Sequence, residues 1–210
     1  MKKRMSIATS AAVSLILLAM SAVPSNAASA SPAVIHSASA TTYVQECLDQ
    51  VKALKRADYP EAVSKEVCKV TTGMTIGAER TVSSAEIQAD ESLSASDKQS
   101  LLTASATTAI SSKRYSKFAT AVLYTVTHGG TFYYNGSRVW VGTTYSGYTG
   151  SHNCVINYAA GANITQGSCS ESGSTTVRYM YDSWTVYPWG IPFSYGYSMT
   201  ANLYSNGTAS

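Results

Sequence analysis

The sequence predicts an α+β protein organised by segment: an N-terminal helical segment followed by an all-β antiparallel sandwich or small barrel. Three observations carry this. Charge divides the chain near residue 118, because from Ala119 to Ser210 the only charged side chains are Arg138, Arg178, Glu171 and Asp182. Aromatic residues run the other way, with all three Trp and most of the fifteen Tyr in that later stretch. The spacing of apolar residues also changes, from a helical period before the division to short alternating runs after it.

Composition narrows the function classes first. Charged residues make up 13% of the 210-residue chain and hydrophobic ones 45%. The charge is about half the usual share, which argues against disorder over most of the length. The formal charge of +3 resides in Lys2, Lys3 and Arg4, and the remainder balances. A chain with two Arg in its aromatic half lacks the basic footprint that phosphate neutralisation needs, so nucleic acid is excluded as a partner.

In chain order, residues 1–27 read as a signal peptide: a basic start, an apolar stretch from Ile7 to Val23, then Pro24 and small residues at Ser25, Ala27, Ala28 and Ala30. Export to the extracellular space follows, and no second apolar run is long enough to predict a stable membrane anchor. Residues 28–42, almost wholly Ala, Ser, Thr and Pro, read as a disordered spacer.

Residues 43–118 read as the helical segment. Val44, Cys47, Leu48, Val51 and Leu54 share one helix face, and Val63, Val67 and Val70 repeat the spacing after Pro60. Thr71 to Ala95 reads as a linker. Ser96-Asp-Lys-Gln99 spells a capping box ahead of a helix over 97–112. Lys113-Arg114 then falls in a polar junction where a trypsin-like protease would release the second half, which makes the segment a candidate propeptide.

Residues 119–210 read as an aromatic-rich β-sandwich domain. Thr131 to Val141 surrounds Asn135-Gly136, the pair a two-residue type I′ hairpin turn favours. Further strands are predicted over 152–159, 174–187 and 193–204. Four cysteines in an exported chain imply disulfides. Loop closure favours Cys47 with Cys68 and Cys154 with Cys169, each contributing about 3 kcal/mol in the chain-entropy model. A metal site is disfavoured, since no C-x-x-C occurs and His152 is the nearest histidine.

Catalytic chemistry has little to draw on. The β domain offers His128, His152, Glu171 and Asp182, with no G-x-S-x-G elbow and no phosphate-binding loop. No catalytic residue, metal or cofactor is therefore assigned. Asp182 lies four positions from Arg178, spacing that predicts a structural ion pair, and Glu171 reads as part of a solvated loop. Tyr, Trp, Ser, Thr, Gly and Asn on a rigid β frame are instead the mixture of a binding surface. The rings singled out for ligand contact are Tyr133, Trp140, Tyr145 and Tyr148 around the first hairpin, and Tyr187 and Trp189 in the late turn.

The leading expectation is a secreted, non-enzymatic module binding an extracellular surface component, either a polysaccharide such as a cell-wall polymer or a surface protein. Two rivals stand beside it. One is a secreted hydrolase using His152 with Asp182 or Glu171. The other is an oligomer-forming or membrane-acting β protein kept latent by the helical segment, since uncharged strands lack the gatekeepers that block edge pairing.

Overall fold

Along most of the chain after residue 110, apolar residues alternate with hydroxyl-bearing ones, and the pleat sends each set to its own face. The product is two antiparallel sheets. The computed structural model describes residues 35–36, 39–55, 65–91, 93–107 and 109–210, all within one compact unit. The leader over 1–27 and the start of the expected second helical arm near Pro60 lie outside the described residues.

The larger sheet comprises β1 (Ile35–His36), β2 (Ala40–Tyr43), β3 (Lys69–Ile76), β4 (Arg80–Thr81), β5 (Ser111–Ala121), β6 (Tyr124–Tyr134), β7 (Val139–Trp140) and β8 (Ser151–Ala159). Its order is β1-β3-β5-β6-β7, with β2 beside β3, β4 beside β5 and β8 beside β6. The smaller sheet is β9 (Ala162–Gly173), β10 (Val177–Pro188) and β11 (Tyr195–Tyr204), with β10 central. Three helices are described: α1 (Gln45–Lys55), α2 (Ser84–Ala89) and α3 (Ala95–Thr107).

The inner faces of the two sheets share their core. One apolar cluster joins Val70, Ala119, Tyr124 and Val126 of the larger sheet to Trp184, Val186, Tyr195 and Met199 of the smaller, with Val44, Cys47 and Val51 covering it from the α1 side. A second joins Met74, Ile76, Phe132 and Tyr134 to Met180, Ala201 and Leu203. Between the clusters, each inner strand carries a polar residue: Lys117 on β5, His128 on β6 and Asp182 on β10. Register aligns them, since Lys117 pairs with His128, His128 with Cys154, and Asp182 with Cys169. The Cys154–Cys169 disulfide connects the two ends of this row across the open side of the sandwich.

Both disulfides are the local pairs, Cys47–Cys68 at a separation of 21 residues and Cys154–Cys169 at 15. Such bonds are typical of extracellular proteins.

Several elements differ from expectation. Residues 43–118 are not helical throughout: β3 and most of β5 lie inside them, and position 118 falls within β5 rather than at a junction. Val67 and Val70, read as a helix face, instead precede and enter β3, where Val70 pairs with Ala121. Long-range pairing here overrides a short periodic pattern that fits either state. Thr71 to Ala95 is not a linker, because it contains β3, β4 and α2. The end of the spacer is strand β2, with Thr41 and Thr71 hydroxyls 2.9 Å apart across its pairing with β3. Lys113-Arg114 sits mid-strand, paired to Phe132 and Thr131, with Lys113 Nζ donating to Gly207 O at 3.0 Å.

The capping box belongs to α2, where Ser83 and Glu86 satisfy each other, while α3 is capped by Ser94, whose Oγ accepts from Asp97 N at 3.1 Å. The first hairpin ladder ends with Tyr134 opposite Val139, and Asn135 N donates to Arg138 O at 3.1 Å, so the tight turn is centred on Gly136-Ser137 rather than on Asn135-Gly136. Asn135 holds that loop through its side chain, accepting from Arg138 N at 2.8 Å, and only Gly136 takes positive φ.

Candidate functional site

On β10, inward Met180, Asp182, Trp184 and Val186 alternate with Tyr179, Tyr181, Ser183, Thr185 and Tyr187 on the outer face. Cross-strand neighbours extend that face with Thr200, Ser198 and Gly196 from β11 and Ser172, Ser170, Thr165 and Asn163 from β9. The surface is a field of hydroxyls and phenol rings without a charged side chain among these positions.

Two glycines hollow it. Gly196 stands directly opposite Thr185. Gly167 belongs to a bulge in β9, where the register steps between Asp182–Cys169 and Trp184–Gln166. A bulge leaves one amide without its ladder partner, and here Ser183 Oγ accepts from Ser168 N at 2.9 Å. A Cβ at Gly167 would stand 2.7 Å from that oxygen, so a larger residue there would displace the Ser183 hydroxyl from the Ser168 amide. The missing side chains open a trough of about 570 Å³ lined by Tyr181, Ser183, Thr185, Tyr197 and Ser198, with Glu46 of α1 at its rim. Glu46 Oε2 accepts from Gly196 N at 3.2 Å.

Beyond the trough, Tyr187 is 45% and Trp189 63% exposed. Trp189 is held rather than loose: its backbone N donates to Gly161 O at 2.8 Å and its indole N–H to Asn163 Oδ1 at 3.2 Å. The outer face of the larger sheet has a comparable hollow over Thr75, Ser116, Gly129 and Asn153, but Arg114 lines it and its only ring is the inward Tyr115. Ring density favours the smaller sheet.

The rings of the first hairpin lie elsewhere and make a packed cluster. Trp140 is 1% exposed, with its indole N–H donating to Tyr148 O at 2.9 Å. Tyr133 stacks on Trp140 and on Tyr148 at centroid distances of 5.8 and 5.3 Å, and Tyr145 meets Trp140 edge-on at 5.0 Å. Ile87 of α2, Leu101 of α3 and Ile110 pack against this group. Trp140 thus offers no face to a ligand, and Tyr133, Tyr145 and Tyr148 are half-buried supports for the helices.

The ionisable residues are disposed differently from the sequence expectation. Arg178 lies 3.2 Å from Glu171, not from Asp182, and Glu171 Oε2 also accepts from Gly142 N at 2.7 Å. Glu171 is therefore a strand residue in β9 tying the two sheets, not a solvated loop residue. Asp182 is wholly buried: Gln166 Nε2 donates to its Oδ1, while Oδ2 has no hydrogen-bond partner among the described residues. Burial raises its pKa.

His128, given no role in the sequence analysis, is fully buried, and neither ring nitrogen has a hydrogen-bond partner among the described residues. Burial, helped by the neighbouring His152 and Lys117, pushes its pKa down to about 3. His152 places Nδ1 3.1 Å from Tyr115 Oη and Nε2 3.0 Å from Cys154 Sγ. Its pKa is lowered by burial, partly offset by Glu171. A general base needs a nucleophile and an orienting acid at contact range, and His152 meets a phenol and a disulfide sulfur there instead. Only paired strands bring His128 beside Cys154, so no local spacing in the sequence announced this pair of imidazoles.

The fold and the outer face define a class, a disulfide-tied two-sheet β protein with an uncharged, ring- and hydroxyl-bearing strand surface. No family model matches the chain, and no curated protein or solved structure matches it significantly.

Proposed function

We propose that this is an exported, non-enzymatic binding protein whose smaller sheet grips an uncharged, hydroxyl-rich extracellular polymer, a polysaccharide of the cell wall or matrix. The observation that carries the reading is the trough floored by Gly167 and Gly196, edged by the Ser183, Thr185 and Ser198 hydroxyls and by Tyr181. Sugars offer alternating flat apolar faces and hydroxyl rims. Phenol and indole rings stack on the former, and Ser and Thr exchange hydrogen bonds with the latter. A charged ligand would meet no counter-charge here beyond Glu46. Tyr187 and Trp189 lengthen the surface along the strand direction, as a polymer needs.

Gly196 provides a clean test, because a Cβ there has no heavy atom nearer than Glu46 Oε2 at 3.9 Å and its φ is not positive. Gly196→Val narrows the trough from a position where a Cβ is free, and valine suits a strand. Retention on insoluble polysaccharides and cell walls is expected to fall about tenfold, equivalent to about 1.4 kcal/mol, with unchanged thermal stability. Tyr181→Ala and Tyr187→Ala should each weaken it similarly. Undiminished retention across all three variants would overturn the assignment of this face.

A further inference from the structure

Buried imidazoles find partners, and His128 has none on either nitrogen among the described residues although it is fully enclosed. Its surroundings supply a reason. His128, His152 and Cys154 each direct one donor atom into a common space, the atoms all lying within 4.8 Å of one another. The Tyr115 hydroxyl holds His152 Nδ1 at 3.1 Å, which turns Nε2 toward the Cys154 sulfur. Fixing one ring nitrogen so that the other faces a metal is how outer residues orient histidine ligands. The obstacle is the bond from Cys154 to Cys169, which leaves the sulfur uncharged and a poor ligand.

We propose that the seam between β8 and β9 is a redox-gated site for a borderline or soft transition-metal ion such as Zn²⁺, assembled from His128, His152 and the Cys154 thiolate once the Cys154–Cys169 bond opens. Cys169 is solvent-exposed, so a small thiol reaches the bond. Two thiol molecules deliver two electrons, each protein sulfur takes up one proton, and the reductant leaves as its own disulfide. The metal then displaces the Cys154 proton to solvent. Two neutral imidazoles and one thiolate suit Zn²⁺ or Cu⁺ over Mg²⁺ or Ca²⁺, and three protein ligands leave a fourth position open. Tetrahedral zinc holds such donors about 3.3 to 3.7 Å apart, so the freed Cys154 sulfur must draw back by about half an ångström from His152 Nε2, now at 3.0 Å, while separations of up to 4.8 Å within the group must shorten by about an ångström. Disulfide and metal compete for one sulfur, which couples metal level to bond opening in both directions.

Cys169→Ser frees Cys154 without reductant and tests the site directly. It should bind Zn²⁺ at least tenfold more tightly than Cys154→Ser/Cys169→Ser, and with Co²⁺ it should give thiolate-to-metal absorption. Adding His128→Ala or His152→Ala to Cys169→Ser should cost tenfold or more. The wild-type chain gives a second measurement that needs no variant to fold: in a thiol–disulfide buffer, saturating Zn²⁺ should ease opening of Cys154–Cys169 by about 30 mV per tenfold of binding preference, leaving the fully buried Cys47–Cys68 unmoved. Equal Zn²⁺ affinity with and without Cys154, or with and without both histidines, or an unmoved redox midpoint, would overturn the proposal.

Discussion

Asp182 is a carboxyl held among apolar side chains with one oxygen unpartnered, and its energetics follow from that placement. Because burial raises its pKa above the unfolded value of 3.8, the fold prefers the protonated form. Its favourable contribution is complete below pH 3.8 and is lost as pH climbs through the folded-state value. Asp182→Asn keeps the shape without the charge. The variant should exceed the wild type by about 1 to 3 kcal/mol at pH 7, with the gap closing toward pH 3.5, as read by denaturant unfolding at both values. The i, i+4 spacing with Arg178 made an ion pair the natural sequence reading, and the two side chains do share a face. What the spacing hid was Glu171, which lies nearer to Arg178 because Cys169 to Gly173 forms strand rather than loop. The same ambiguity affects tryptophan: one-dimensional pattern marks Trp140 and Trp189 alike as rings near turns, whereas burial separates them. Trp140→Ala should cost about 3 to 5 kcal/mol. Trp189→Ala should stay within about 0.5 kcal/mol while weakening polymer retention.

At the level of elements, legibility tracked local chemistry. The Asn135-Gly136 turn, β8, β10 and β11 were visible because alternation and turn residues are written within each segment. The hairpin rings were placed correctly near one another, and of them Trp140 is buried rather than exposed, since nothing local says that α2 and α3 return to cover it. β3 and β9 were invisible for two reasons. Valines three apart in Val67 to Val70 mimic a helix face, and the Ser/Gly/Asn richness of Ala162–Gly173 mimics a loop until its pairing with β10 is known. The bulge at Gly167 is beyond sequence reading altogether, yet it shapes the trough. Ser183→Ala should leave the Ser168 amide unpaired and cost about 1 kcal/mol, with hydrogen exchange accelerated at the middle of β9.

For the whole molecule, exposed strand edges decide whether the protein stays alone. The scarcity of charge in the sequence suggested edges free to pair, but β11 is dressed along its length. Glu46 takes Gly196 N, Lys117 Nζ donates to Thr200 O at 2.6 Å, and Asn202 exchanges backbone bonds with Ser210 at 2.8 and 3.0 Å. Removing residues 206–210 would strip the last of these, and sedimentation should then reveal stronger concentration-dependent association than that of the intact chain. The glycine-floored hollow of the smaller sheet has a consequence of its own for how a long ligand arrives. Among the described residues it is a furrow cut into flat fabric, with no flap to lift and no blind end, so a polymer bound as proposed would settle on it from the side, anywhere along its contour. Free chain termini would then be irrelevant to capture, and solid fibres would compete as well as short soluble fragments of equal accessible length.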